Sequence, residues 1–215
     1  MTGKVLVYSD SHSFCGVGIN MAVLLERLCA AGHEVFCAQR HEQTETQRRL
    51  ADLGVQYIWF EKNPDEDFSA FANDRGTPER IYGQVRPDII FFMNGHPLGT
   101  FAAIDAALAA GLPYVIREGV VAPHFLPEDE AQRSVLKAHY LGARAVMTNC
   151  GENLQYLRRF LGVSEDFGHS IRNGAEDIYF RPRDAASRRD CRAALGIVPR
   201  RISTWRRPAG RAGFE

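Results

Sequence analysis

Asp88-Ile-Ile-Phe-Phe-Met93 is an apolar run with no polar residue alternating into it after its first position. A strand with one face in water alternates. A continuous run is buried on both faces, as in a parallel sheet covered by helices on each side. The segments on either side repeat the theme. Downstream, Thr100–Ala110 is an Ala-rich helix closed by Gly111, and Tyr114–Glu118 is another short strand. Ala145–Thr148 and His169–Ile171 follow as further strands, and Asn173-Gly174 turns the chain. Upstream, Lys4–Ser9, Glu34–Ala38 and Val55–Phe60 are β-branched or aromatic runs of strand length. Helical patterns fill the gaps. Met21, Leu24, Leu25 and Leu28 recur on one helix face that ends at Gly32. Thr46–Leu53 is helical and stopped by Gly54, while residues 61–76 are polar and irregular. Thr77-Pro78 opens a short helix with Thr as cap. Glu128–Tyr140 is helical, and Asn149, with Glu152 three residues on, caps a helix running to Phe160. Strand and helix alternate throughout, so the predicted fold is α/β, a Rossmann-like parallel sheet with helices on both faces. Trp59 and Phe91-Phe92 are read as core.

The composition bounds the rest. At about 150 residues per domain, 215 residues make one domain, or one and a fragment, with room for a real core. No apolar run approaches the roughly 20 residues of a membrane span, and no secretory signal is visible after Met1. Cys15, Cys29, Cys37, Cys150 and Cys191 are scattered with no C-x-x-C pair. This pattern points to reduced thiols in a cytoplasmic setting and away from zinc. The balanced charge hides an asymmetry. Residues 181–215 hold ten arginines against three acids, whereas residues 1–180 hold 16 basic and 23 acidic side chains.

In a parallel sheet of this kind, ligands sit beyond the carboxyl ends of the strands. The loops to inspect therefore follow Ser9, Met93, Glu118 and Thr148. The first holds Gly16-Val17-Gly18 as it opens a helix, where exposed N–H groups and the positive end of the helix dipole suit a diphosphate. A nicotinamide fingerprint is disfavoured. Met21 stands where its third glycine belongs, and no acid ends the second strand for a ribose. Asp10-Ser11-His12 is similar to the opening of metallophosphoesterases, but one Asp and one His cannot hold two ions. Near the third loop, Arg117 could bind a phosphate or carboxylate, and Glu118 or His124 could carry a proton. Cys150 at a helix start is read as a buried or capping thiol.

Three stretches together resemble the N-terminal half of glycosyltransferase family 4. The Gly16–Gly18 turn leads through Leu24-Leu25-Glu26-Arg27-Leu28 to Gly32-His33-Glu34-Val35. Arg86-Pro87-Asp88-Ile89-Ile90 is similar to the family's strand-four entry. Ala145 to Cys150, Tyr156-Leu157 and Ser170-Ile171-Arg172-Asn173-Gly174-Ala175-Glu176-Asp177 through Phe180 and Pro182 resemble its last third, and the likeness runs from residue 4 to about 197. The resemblance implies a GT-B fold of two facing Rossmann-like domains. It also implies transfer of a sugar from a nucleotide-sugar donor to a glycan, lipid or small-molecule acceptor, usually with retention. No cofactor or metal is implied. Gly16, Val17 and Gly18 would face the donor phosphates, and Asn173-Gly174 would turn into the interdomain linker.

The family often carries a histidine just after the strand equivalent to Tyr114–Glu118; here Arg117-Glu118-Gly119 stands there, with His124 displaced. On this reading residues 1–180 form the acceptor-side domain and 181–197 a linker helix. Residues 198–215 form a basic irregular tail, in place of the donor-binding domain, through truncation or frameshift. The tail is alternatively an arm touching anionic lipid at the inner membrane face, or the stub of a split enzyme with a separate donor chain. A specific nucleic-acid site is not expected. An isolated chain without the donor half is expected to be inactive. The rival functions are a non-enzymatic acceptor-binding module and, more weakly, a metal-dependent phosphoesterase.

Overall fold

The computed structural model describes residues 2–9, 16–40, 50–61, 75–174 and 184–196. Seven strands form one sheet: β1 (Lys4–Ser9), β2 (Glu34–Arg40), β3 (Gln56–Phe60), β4 (Ile89–Asn94), β5 (Tyr114–Glu118), β6 (Ala145–Thr148) and β7 (Gly168–Ser170). Their order is β3-β2-β1-β4-β5-β6-β7, and every pairing is parallel. Helices α1 (Gly16–Ala30), α2 (Gly76–Val85), α3 (Phe101–Ala109), α4 (Glu130–Leu141), α5 (Gly151–Leu161) and α6 (Ala185–Ala194) alternate with them. The α/β Rossmann-like sheet expected from the sequence is the observed fold. The expected helix at Thr46–Leu53 falls mostly outside the described residues, and its described end is a 3-10 turn, Ala51–Leu53, closed by Gly54 at φ 75°.

The chain divides into two compact units, Met1–Asn173 and Gly174–Glu215. The first holds the sheet and two cores. On one face, Val5, Val7, Val35, Cys37 and Met93 pack with Val17, Met21, Ala22 and Leu25 of α1. On the other, Leu6, Tyr8, Ile90, Phe92, Tyr114, Ile116 and Val146 pack under the apolar faces of α2, α3, α4 and α5. Alternate residues of each strand therefore enter different cores, as the pleat dictates. Tyr8 anchors the larger core, its ring centroid 5.0 Å from Phe60 and 5.9 Å from Phe92. β4 is less evenly covered than its sequence suggests: Phe92 is fully buried, but Ile89 and Phe91 on the α1 face are half-buried. Trp59 is also half-buried, stacked on Tyr57 at 5.3 Å.

Two caps differ from the sequence reading. Arg75, not Thr77, precedes the first residue of α2. Cys150, not Asn149, is the N-cap of α5, and the Asn149 side-chain Oδ1 accepts instead from Asn153 Nδ2 at 2.8 Å. In the second unit, α6 has a firm start: Asp184 accepts from the Ala186 and Ser187 amides at 3.1 and 2.9 Å. No helix among the described residues is long and apolar enough to cross a membrane.

Candidate functional site

The carboxyl edge of the sheet is built from the ends of β1, β4, β5 and β6, and two adjacent residues of β5 define its two sides. Glu118 shares its face with Tyr114 and Ile116, so it points into the larger core and is 0% exposed. Its Oε1 accepts from Asn94 Nδ2 at 2.9 Å and from Tyr140 OH at 2.6 Å. Thr100 Oγ1 donates to Asn94 Oδ1 at 2.6 Å and closes the network. Burial and the neighbouring carboxylate push the Tyr140 hydroxyl well above its ordinary pKa, so it remains a donor.

The loops beyond β4 and β5 are joined by backbone. Gly119 N donates to Asn94 O at 3.0 Å and Val120 N to Gly95 O at 2.9 Å. A Cβ at Gly119 would lie 3.0 Å from Gly95 O and 3.3 Å from Asn94 O, so this approach needs a residue without a side chain. Asn153 of α5 holds the same loop from the other side, donating to Gly119 O at 3.1 Å and accepting from Val121 N at 3.3 Å.

Arg117 points the opposite way, onto the α1 face. Its register partners are Met93 and Met147, and Met147 pairs in turn with His169. Two strands away, Ser9 pairs with Gln39 and donates to Met93 O at 3.1 Å. Gln39, Ser9, Met93, Arg117, Met147 and His169 thus form one row across the sheet. Arg117 is half-buried and donates from Nη2 to Asn173 Oδ1 at 2.6 Å. Burial lowers the pKa of its guanidinium, and Glu118 partly offsets this. Gln39 is 0% exposed, and neither polar atom of its amide has a hydrogen-bond partner among the described residues.

Gly16, Val17 and Gly18 are not a free loop; they are the first turn of α1. Gly18 is buried and Val17 is at the edge of the α1-face core, whereas a Cβ at Gly16 would meet nothing within 4 Å. The first N–H groups of a helix have no partner within it, and the dipole makes that end positive. His124 is exposed on a 3-10 turn, Pro123–Phe125, with its ring 4.2 Å from that of Phe125. His96, from the β4 loop, stacks on the same phenyl ring at 4.6 Å and 7°. The structure therefore gathers Glu118 with Asn94, Thr100 and Tyr140, and His124 with His96. It separates Arg117 from Glu118 by the thickness of the sheet. Tyr140 and Gln39 carried no motif, although a period of two along β5 already puts Arg117 and Glu118 on opposite faces.

Cys150 is half-buried, and Cys29, Cys37, Cys150 and Cys191 are free thiols. Among the described residues no group of three or more His, Cys, Asp or Glu could hold a metal ion. Asp10 and His12 lie outside them.

A model of the glycosyl transferase 4-like domain matches residues 16–174. No curated protein matches the chain. Among solved structures, a glycosyltransferase from Rickettsia africae ESF-5 aligns with a TM-score of 0.68 at 15% identity, covering 92% of this chain and 50% of that one. Anabaena Alr3699/HepE in complex with UDP-glucose aligns with a TM-score of 0.67 at 13% identity, covering 90% and 50%. UDP-GlcNAc 2-epimerase from Neisseria meningitidis, bound to UDP-GlcNAc, aligns with a TM-score of 0.56 at 14% identity, covering 90% and 51%. The chain spans about half the length of these structures.

Proposed function

We propose that this chain, which belongs to the glycosyl transferase 4-like family, forms the acceptor-side wall of a cleft that transfers a sugar from a nucleotide-sugar donor, with retention, to a glycan, lipid or small-molecule acceptor. The observation that carries the reading is the first turn of α1. It stands at the carboxyl edge, begins the family match at Gly16, and leaves the Cβ side of Gly16 open. A diphosphate placed there meets N–H groups that have no partner within the helix and the positive end of a 15-residue helix. Stabilising charge that develops on the leaving diphosphate is where such preorganised donors act most strongly. Arg117 adds a cation on the same face. His124 is exposed and open to an approaching acceptor, whereas Glu118, fully buried, keeps the β4 and β5 loops in place. A cytoplasmic setting, read from the scattered cysteines, belongs to the same reading.

One wall does not exclude water or enclose a leaving group. The 215 residues alone are therefore expected to transfer sugar negligibly from a panel of UDP- and GDP-sugars. They are still expected to bind UDP weakly through the α1 turn. Gly16→Glu places a negative charge at that turn in open space. It should abolish UDP binding in titration calorimetry and leave thermal stability unchanged. UDP affinity unaltered by Gly16→Glu would remove the phosphate role of the turn. Robust transfer by the chain alone would remove the half-cleft reading.

A further inference from the structure

We propose that Arg117 is a latch with two alternative partners: in the free protein it pins Asn173, and it releases Asn173 when a phosphate or other oxyanion arrives at the carboxyl edge. The inference deepens the proposed function and rests on it only for the identity of the anion.

Position makes this bond unusual. Arg117 is the penultimate residue of β5, and Asn173 lies beyond β7, two strands away along the row Arg117–Met147–His169. The 2.6 Å contact therefore reaches across the sheet surface. It ends on the last residue of the first compact unit, next to Gly174, where the second begins. The stretch before it is tied down only as far as Ile171, whose N–H donates to Thr148 O at 2.7 Å. Arg117 thus fixes the final step of the chain before it leaves the sheet.

The chemistry of the bond makes it replaceable. A guanidinium offers five N–H donors in a planar fork. Here one of them is used, on a neutral amide oxygen. Among the described residues no carboxylate pairs with Arg117. Glu118, its neighbour in sequence, faces the other core and is engaged by Asn94 and Tyr140. Bonds from a guanidinium to an oxyanion are about twice as strong as those to a neutral acceptor, and a phosphate can take two prongs of the fork. Half-burial strengthens the preference, because water screens the pair less. An oxyanion on the α1 face therefore outcompetes the Asn173 amide. By linkage, the anion's affinity and the freedom of residues 172–174 must rise and fall together.

The test uses the whole chain with inorganic diphosphate as probe. Asn173→Ala removes the competitor, so diphosphate should bind about fivefold tighter than to the unaltered protein. Asn173→Asp converts the competitor to a carboxylate and should weaken binding by about tenfold or more. Arg117→Gln should lose diphosphate binding, and Arg117→Lys, which keeps the charge but not the fork, should fall between. Amide hydrogen exchange supplies a readout that needs no ligand. Exchange at residues 172–174 should quicken in Arg117→Gln without diphosphate, and in the unaltered protein when diphosphate is added. Equal diphosphate affinity in the two Asn173 variants would overturn the latch, as would unchanged exchange in Arg117→Gln. Failure of the α1 turn to bind UDP would leave these outcomes intact, so the two readings fail separately.

Discussion

The two faces of the sheet meet the carboxyl edge in different ways. On the side of α2 to α5, the last residue of β5 is a buried carboxylate whose Oε1 accepts from both Asn94 and Tyr140, with Thr100 at one remove. On the α1 side, one residue earlier, the same strand presents a cation with a single neutral acceptor. In the same row a buried amide, Gln39, has no hydrogen-bond partner among the described residues. A network that ties three side chains to one carboxylate oxygen rigidifies, whereas a buried amide without a partner among the described residues stores free energy that a ligand can recover. On the function proposed above, the first face is scaffold and the second recognition.

The sharpest way to break this comparison is to mutate both sides of β5. Glu118→Ala strands the Asn94 and Tyr140 donors in the core and should cost about 3 kcal/mol in urea unfolding. Arg117→Gln should change stability by less than about 1 kcal/mol, since it gives up one hydrogen bond at a half-buried position. Comparable losses from the two would mean that both faces are scaffold.

Gln39→Met gives a smaller effect of opposite sign. Replacing a buried amide that has no partner by an apolar side chain of similar shape should stabilise the protein by about 1 kcal/mol. Stabilisation together with weaker UDP binding would show that the amide is kept for a ligand. Destabilisation would show that it is already satisfied.

The smallest effect lies in pH. His139 of α4 is fully buried against Phe101, with Nε2 3.2 Å from Asp105 Oδ1, and Asp105 is also 3.3 Å from Arg75. Burial lowers the His139 pKa below the ordinary 6.5, and the Asp105 hydrogen bond and charge only partly restore it. The unfolded chain therefore takes up a proton near pH 6.5 that the folded protein resists. His139 should leave stability level above pH 6.5 and lower it as the pH falls below that value. The slope should be reduced in His139→Gln, as denaturant midpoints between pH 5 and 8 would show.

Much of the framework was legible in the sequence because its signals are local. β1, β5 and β6 run over the residues that their apolar runs mark, and Gly32, Gly54 and Gly111 close their elements at positive φ. Helix starts were less legible. Thr77 and Asn149 have the chemistry of caps, but Asn149 is held by Asn153, a contact that depends on where α5 lies. The site was partly legible. Arg117, Glu118 and His124 stand out by type and place. Their partners Asn94, Tyr140, Asn173 and His96 come from 22 to 56 residues away in the chain. Such partners are set by strand order, which no short window of sequence encodes.

The shared backbone of the β4 and β5 loops also has an evolutionary consequence. Because Gly119 lies flush against Gly95, an insertion in either loop would pry both apart and disturb the Asn94–Glu118 clasp beneath. Relatives that diversify here should therefore do so by exchanging side chains at positions such as 96, 124 and 125 rather than by changing loop length.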